Sequence, residues 1–178
     1  LDLKEGFTLF YSGKIVPRKG LIEIINIFNI LGKKYDVNLL MVGSGDQKYL
    51  EFLKKGIKNG LKDRVRIVPF IPHKRLPMYM SIGHLGCWLG SIPSASINEF
   101  LSVGRPILVK IFEGRNLERL GYSFAKKHMN LKNSLRWIQS LIEDTALYKE
   151  QCNQARNYAL NHLDWKITTK QIIHLYNS

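Results

Sequence analysis

Apolar runs of strand length alternate with segments of helical period along most of this chain. FTLFY (7–11), VNLLMV (37–42), RVRIVPF (64–70), HLGCWL (84–89) and PILVKI (106–111) are short, several are β-branched or aromatic, and they run out into Gly, Pro or Ser. Between the first two, Leu21, Ile24, Ile25, Phe28 and Leu31 fall at i, i+3, i+4, i+7 and i+10, one face of a helix with Gly32 in place to close it. Tyr49, Leu50, Leu53 and Ile57 repeat the idea ahead of Gly60. A third helix is expected over 94–103, with serines available to cap it and Gly104 after its end. Leu135, Ile138, Leu141 and Ile142 mark a fourth, Leu147, Tyr148, Cys152, Ala155 and Ala159 a fifth, and Ile172, Ile173 and Tyr176 a short last one. The stretch 112–133 is basic, weakly periodic and the least readable.

Strands separated by helices need crossover connections, and these favour parallel pairing with a helix packed back on the sheet. The expected class is therefore α/β, a Rossmann-like doubly wound parallel sheet with helices on both faces. The 178 residues hold no internal repeat and no Pro/Gly/Ser linker, so one domain over 1–178 is expected. In such sheets ligands lie beyond the carboxyl ends of the strands. The segments to inspect are SGKIVPRKG, GSGDQ, IPHKRLP, GSIPSAS and FEGRN.

Charge narrows the ligand class. Lys and Arg number 27 against 14 Asp and Glu, a net +13, which points to polyanions: phosphorylated ligands, nucleic acid or an acidic membrane surface. No apolar run approaches the roughly 18 residues of a spanning helix. The opening LDLKEGFTLFYSG lacks the basic and apolar regions of a signal peptide. Cys87 and Cys152, both within apolar periodic segments, make no disulfide framework, and a reducing cytoplasm is expected. A start on Leu1 rather than Met gives the expectation of one domain cut from a longer protein.

Taken one by one, the loops carry open alternatives. Lys14 and Lys19 follow the first strand with Gly13, Pro17 and Gly20 bending the chain between strand and helix. Two ammonium groups there form either a diphosphate clamp or part of a solvated basic surface. The run from Gly43 to Lys48 begins like a dinucleotide fingerprint but has Lys48 where the third glycine belongs, so it reads as a tight turn. Ser94, Ala95 and Ser96 enter a helix whose unpaired N–H groups attract anions. Glu99, in its first turns, either accepts hydrogen bonds from a diol or complements the helix dipole. His84 and Cys87 face opposite sides of their segment and make no zinc pair. No GxSxG elbow and no pair of acids within one candidate loop supports hydrolase chemistry.

In order, SGKIVPRKGLIEIINIF, LLMVGSGDQKYLEFL, LKDRVRIVPFIPHKRLPMYM, SASINEFLSVGRPILV and YALNHLDWKITTKQIIHLY resemble the C-terminal, donor-binding half of retaining GT-B glycosyltransferases, the glycosyl transferases group 1 type. Lys14 and Lys19 match the family's basic residue and Lys-Gly, Gly43 and Gly45 its glycine turn, the segment 65–70 its V-x-F-x-G stretch, and Glu99 with Gly104-Arg105-Pro106 its glutamate and Gly-x-Pro. A further family glutamate is replaced by Ser91, and Pro93-Ser94 to Glu99-Phe100 looks like the P-S-x-x-x-x-E-[FY] form of some relatives. The usual Gly-Gly turn is replaced by Phe112-Glu113-Gly114-Arg115.

The resemblance implies that Lys14 and Lys19, the catalytic pair, hold the diphosphate of a UDP- or GDP-type sugar donor beside Gly13. It implies that the amides of Ser94, Ala95 and Ser96 join them, that Glu99 binds the ribose, and that backbone near Phe70 meets the base. It implies no metal and no other cofactor, and a lipid-linked or polysaccharide acceptor held by an N-terminal domain absent from this chain, which alone transfers nothing. Cytoplasmic, bacterial work on cell-surface polysaccharide such as lipopolysaccharide or capsule is the expected setting, with peripheral contact to an anionic membrane. Lys54, Lys55, Lys58 and Lys62 offer headgroup contacts or a plain solvated face. Three alternatives stay open: a nucleic-acid-binding module, raised by charge alone though scattered basic residues argue against it, an epimerase of the same fold, and an inactive relative.

Overall fold

A computed structural model of the chain describes residues 2–90, 94–110, 124–128, 130–167, 169 and 173–174. All five expected strands form: β1 (Phe7–Ser12), β2 (Val37–Val42), β3 (Val65–Val68), β4 (Leu85–Trp88) and β5 (Ile107–Val109). A further strand, β6 (Ala125–Lys127), comes from the unreadable stretch and pairs with β5 at the sheet edge. Three residues, two of them lysine, carry no alternation from which to read it. The helices are α1 (Leu21–Leu31), α2 (Gln47–Gly56), α3 (Leu76–Met80), α4 (Ser96–Ser102), α5 (Leu131–Glu143) and α6 (Thr145–His162). The five residues of α3, in a segment read as loop, are too few to show a period. Ile172 and Tyr176, on which the last short helix was expected, lie outside the described residues.

Every strand pair is parallel, and the order is β3-β2-β1-β4-β5-β6. The chain moves outward from β1 to β3, returns to the other side of β1 for β4, and moves outward again. Right-handed crossovers running in opposite directions put α1 and α2 on one face and α3 and α4 on the other. The observed packing agrees: α1 touches α2 and α5, while α4 touches α3 and α6. Runs buried on both sides form the centre, because helices cover both faces. All six residues of β2 are buried, and β1 pairs with it from Phe7↔Val37 to Ser12↔Val42.

Aromatic rings fill the layer beneath α4. Phe10 stacks on Phe100 at 5.1 Å and Trp88 meets Phe100 edge-on at 5.5 Å. Such rings contribute about 1.5–3 kcal/mol each on burial. Local chemistry sets several helix ends. Asp46 caps α2 by accepting from the Tyr49 amide, Asn130 caps α5 by accepting from Asn133, and Asp144 caps α6 by accepting from Ala146 and Leu147. Each cap contributes about 1 kcal/mol. The serine cap expected for α4 is a correction. Ala95 occupies the cap position, and the first turn closes through backbone bonds from Ile97 to Ser94 and from Asn98 to Ala95.

Candidate functional site

The strand order reverses between β1 and β4, so the connections leaving them depart to opposite faces and open a crevice at their carboxyl ends. The loop after β1 is anchored at both ends. Trp88 Nε1 donates to the Ser12 carbonyl at 3.0 Å, and the Tyr11 hydroxyl donates to the Lys14 carbonyl at 2.7 Å. Burial, with the neighbouring Tyr49, raises the Tyr11 pKa and keeps that hydroxyl a donor. Ile15 is fully buried and bridges Gly45, while Gly13 donates to Val42, so this loop lies along the turn after β2. Lys14, between these anchors, is left exposed.

Pro17–Lys19 then makes one turn of 3-10 helix, ending at Gly20 with φ 70° and ψ 29°. This left-handed conformation suits glycine, and a side chain is barred there for a second reason. A Cβ on Gly20 would lie 2.4 Å from the carbonyl carbon and oxygen of Leu89, and a Cβ on Gly90 would lie 2.5 Å from the Lys19 Cα. The two backbones touch directly. Lys19 is thereby brought to the start of the segment that leads into α4. Partial burial, and secondarily Arg18, lowers the Lys19 pKa, because each disfavours the charged ammonium form.

On the far side of that segment, Ser94 and Ser96 are half-buried and Ala95 is exposed. Glu99, one turn into α4, is met by His73 from the β3–α3 connection, with His73 Nε2 2.6 Å from Glu99 Oε1. Phe70, at the start of the same connection, is 77% exposed. The structure therefore brings Lys19 to the β4–α4 segment and ties Glu99 to the loop that carries Phe70. Lys14 takes no part in the Gly20–Gly90 contact. His73 is the residue that sequence reading missed. Its loop was singled out, but no spacing rule joins positions 26 apart. Ser91, Pro93 and the run 112–115 lie outside the described residues.

Over 13–20, 69–75 and 94–99 the charged side chains are Lys14, Arg18, Lys19, Lys74 and Arg75 against Glu99. That balance of charge favours an anionic ligand at these strand ends. A phosphorylated ligand bearing hydroxyl groups fits it.

Comparison with known proteins supplies independent findings. The family model described as glycosyl transferases group 1 matches residues 2–102. The uncharacterized glycosyltransferase YqgM of Bacillus subtilis (strain 168) is 32% identical over 88 residues, which is 49% of this chain and 23% of that protein. HepE of Anabaena, solved in complex with UDP, superposes with a TM-score of 0.78 at 21% identity, covering 97% of this chain and 49% of HepE. The C-terminal domain of the group 1 family protein LpcC from Francisella tularensis superposes with a TM-score of 0.73 at 15% identity, covering 89% of this chain and 87% of that domain. The chain thus spans half or less of the length of YqgM and HepE, and nearly all of a domain solved by itself.

Proposed function

The chain belongs to the glycosyl transferases group 1 family, and from that membership we propose that it is the donor-binding domain of a retaining hexosyltransferase. The donor is a nucleotide-diphosphate sugar of the UDP or GDP type, a reading supported by the UDP held in HepE. Lys14 and Lys19 take the diphosphate and meet the charge that grows on it as the sugar departs, an electrostatic role in which single groups are typically worth a few kcal/mol. Gly13 lets the backbone come close, the amides of Ser94, Ala95 and Ser96 add donors, Glu99 takes the ribose, and the backbone at Phe70 meets the base. With this clamp the proposed reaction draws on no metal ion. Departure and attack on one face of the sugar give retention without a protein nucleophile.

The acceptor in this reading is lipid-linked or polysaccharide, held by an N-terminal domain of the same protein, in bacterial cell-surface polysaccharide synthesis at the cytoplasmic side of a membrane. By itself the domain binds donor and transfers nothing. No described helix is long and apolar enough to cross a membrane, and contact with anionic lipid is peripheral in this reading, through Lys54, Lys55 and Lys58 around the exposed Phe52.

The observation that carries the proposal is the backbone contact of Gly20 with Leu89 and Gly90, which joins the lysine loop and the Glu99 segment at the point of strand reversal. The test is calorimetric titration with UDP, GDP, ADP and CMP, and with a short RNA for comparison. Selective binding of one nucleoside diphosphate, lost in Lys19→Ala, is expected. Absence of any diphosphate binding, or tight salt-dependent binding of the RNA instead, overturns it.

A further inference from the structure

Glutamate on an exposed helix turn has several rotamers, and a ligand that needs one of them bears the entropy of selecting it. Glu99 is not left to select alone. His73 Nε2 lies 2.6 Å from its Oε1, and since a carboxylate only accepts, the ring nitrogen is the donor. The histidine side chain is 81% exposed and that of Glu99 34%, so the bond lies at the open rim of the crevice, not in the core. Each carboxylate oxygen has two acceptor positions. The one bond to His73 therefore fixes the group and leaves both oxygens able to receive hydroxyl protons.

We propose that His73 is a positioning residue that holds Glu99 ready for the hydroxyls of the donor ribose. The proposal rests on the donor-binding reading given above. It also gives the β3–α3 connection a second task. His73 stands three residues after Phe70, so the loop assigned to the base and the carboxylate assigned to the ribose become one unit, joined by a hydrogen bond between elements far apart in sequence. Among the described residues Lys74 and Arg75, which follow His73, make no hydrogen bond or ion pair with Glu99 that would replace it.

A hydrogen bond at an exposed rim adds little to folding stability, so variants at this position fold and the effect is read in binding. UDP and 2′-deoxy-UDP, and the corresponding guanine pair, are titrated into the wild-type chain, His73→Ala, His73→Gln, Glu99→Gln and the double variant His73→Ala/Glu99→Gln. The expected loss for the ribonucleotide in His73→Ala is about three- to tenfold, the size of one hydrogen bond. The loss for the deoxynucleotide is smaller, His73→Gln recovers most of it through its amide N–H, and the double variant is no weaker than Glu99→Gln alone. Equal losses for both sugars, additive losses in the double variant, or no loss in His73→Ala overturn the proposal while leaving the donor-binding reading intact. If the wild-type chain binds none of the four nucleotides, the reading of the site fails and the proposal fails with it.

Discussion

The indole nitrogen of Trp88 donates to the carbonyl of Ser12 at 3.0 Å, joining the last residue of β4 to the last residue of β1 where the strand order reverses. Because Trp88 is also packed against Phe10, Tyr11 and Phe100, the core holds the floor of the crevice in place. The Ser12 side chain is buried there with no partner for its hydroxyl oxygen. Trp88→Phe keeps a ring and removes the donor. The expected cost is about 1–3 kcal/mol, that of a buried acceptor left unpaired, read by urea unfolding followed by far-UV circular dichroism. A change below about 0.5 kcal/mol would mean that this bond does not hold the strand ends.

Glycine substitutions separate the direct backbone contact from general loop tolerance. Gly20→Ala places a methyl group 2.4 Å from the Leu89 carbonyl at a left-handed position, and Gly90→Ala places one 2.5 Å from the Lys19 Cα. Each is expected to cost about 2–4 kcal/mol through strain and displacement of the loop. Gly60→Ala is the control, since nothing lies within 4 Å of its added Cβ. Its expected effect is within about 0.5 kcal/mol. Thermal unfolding of the three variants decides, and equal melting temperatures would deny the contact.

These residues also mark what the sequence could and could not announce. The buried strands were readable because every residue of β2 and nearly all of β1 is apolar or enclosed, and α1 because its period is unbroken. Lys14, Lys19 and Glu99 were readable as loop and helix-start residues at strand ends. The partners that order them were not. Trp88 with Ser12 and His73 with Glu99 are side-chain bonds between elements 76 and 26 positions apart, fixed only when the sheet assembles. The serines at 94 and 96 misled for the opposite reason: a cap expected from composition is unnecessary where the backbone turns on itself through Ile97 and Asn98.

Acid should weaken the fold through His84. Its Nδ1 accepts the Thr8 amide at 3.1 Å, and burial, assisted by the nearby Arg105 charge, holds its pKa below the ordinary 6.5. Above about 6.5 the ring is neutral folded and unfolded, and it adds no pH dependence. Below that value the unfolded chain takes up a proton that the folded chain resists, so stability falls as pH drops from about 6.5 to the folded pKa. His84→Asn keeps an acceptor for Thr8 without a titrating ring. Its stability should fall less between pH 7 and pH 5 than that of the wild type. Some slope remains, because burial also lowers the His128 pKa. Identical slopes in urea titrations would exclude His84 as a source.

Membrane contact through α2 is predicted to require both its ring and its charges. Phe52 is 55% exposed and stacks on Tyr49 at 6.1 Å, beside Lys54 and Lys55. Lys33 crowds Lys58 and lowers its pKa, a repulsion that an anionic headgroup relieves. Sedimentation with phosphatidylglycerol vesicles should exceed that with phosphatidylcholine. It should drop in Lys54→Glu/Lys55→Glu and, independently, in Phe52→Ser. Binding that ignores all three substitutions would place the contact elsewhere.

Lys14 and Lys19 are predicted to act unequally on a common phosphate group. Lys14 is exposed and its backbone carbonyl accepts from Tyr11, whereas Lys19 is half-buried with its pKa already lowered by partial burial and Arg18. A bound diphosphate returns to Lys19 the stabilisation that burial removed, so its attraction is screened less by water and salt than that of Lys14. Each alanine substitution should weaken nucleoside diphosphate binding by about tenfold, the scale of one charge-assisted bond. Raising salt should erase the effect of Lys14→Ala before that of Lys19→Ala. Neither variant should lose folding stability. Calorimetric titrations at two salt concentrations test the ordering, and a reversed order would assign Lys14 as the desolvated phosphate ligand.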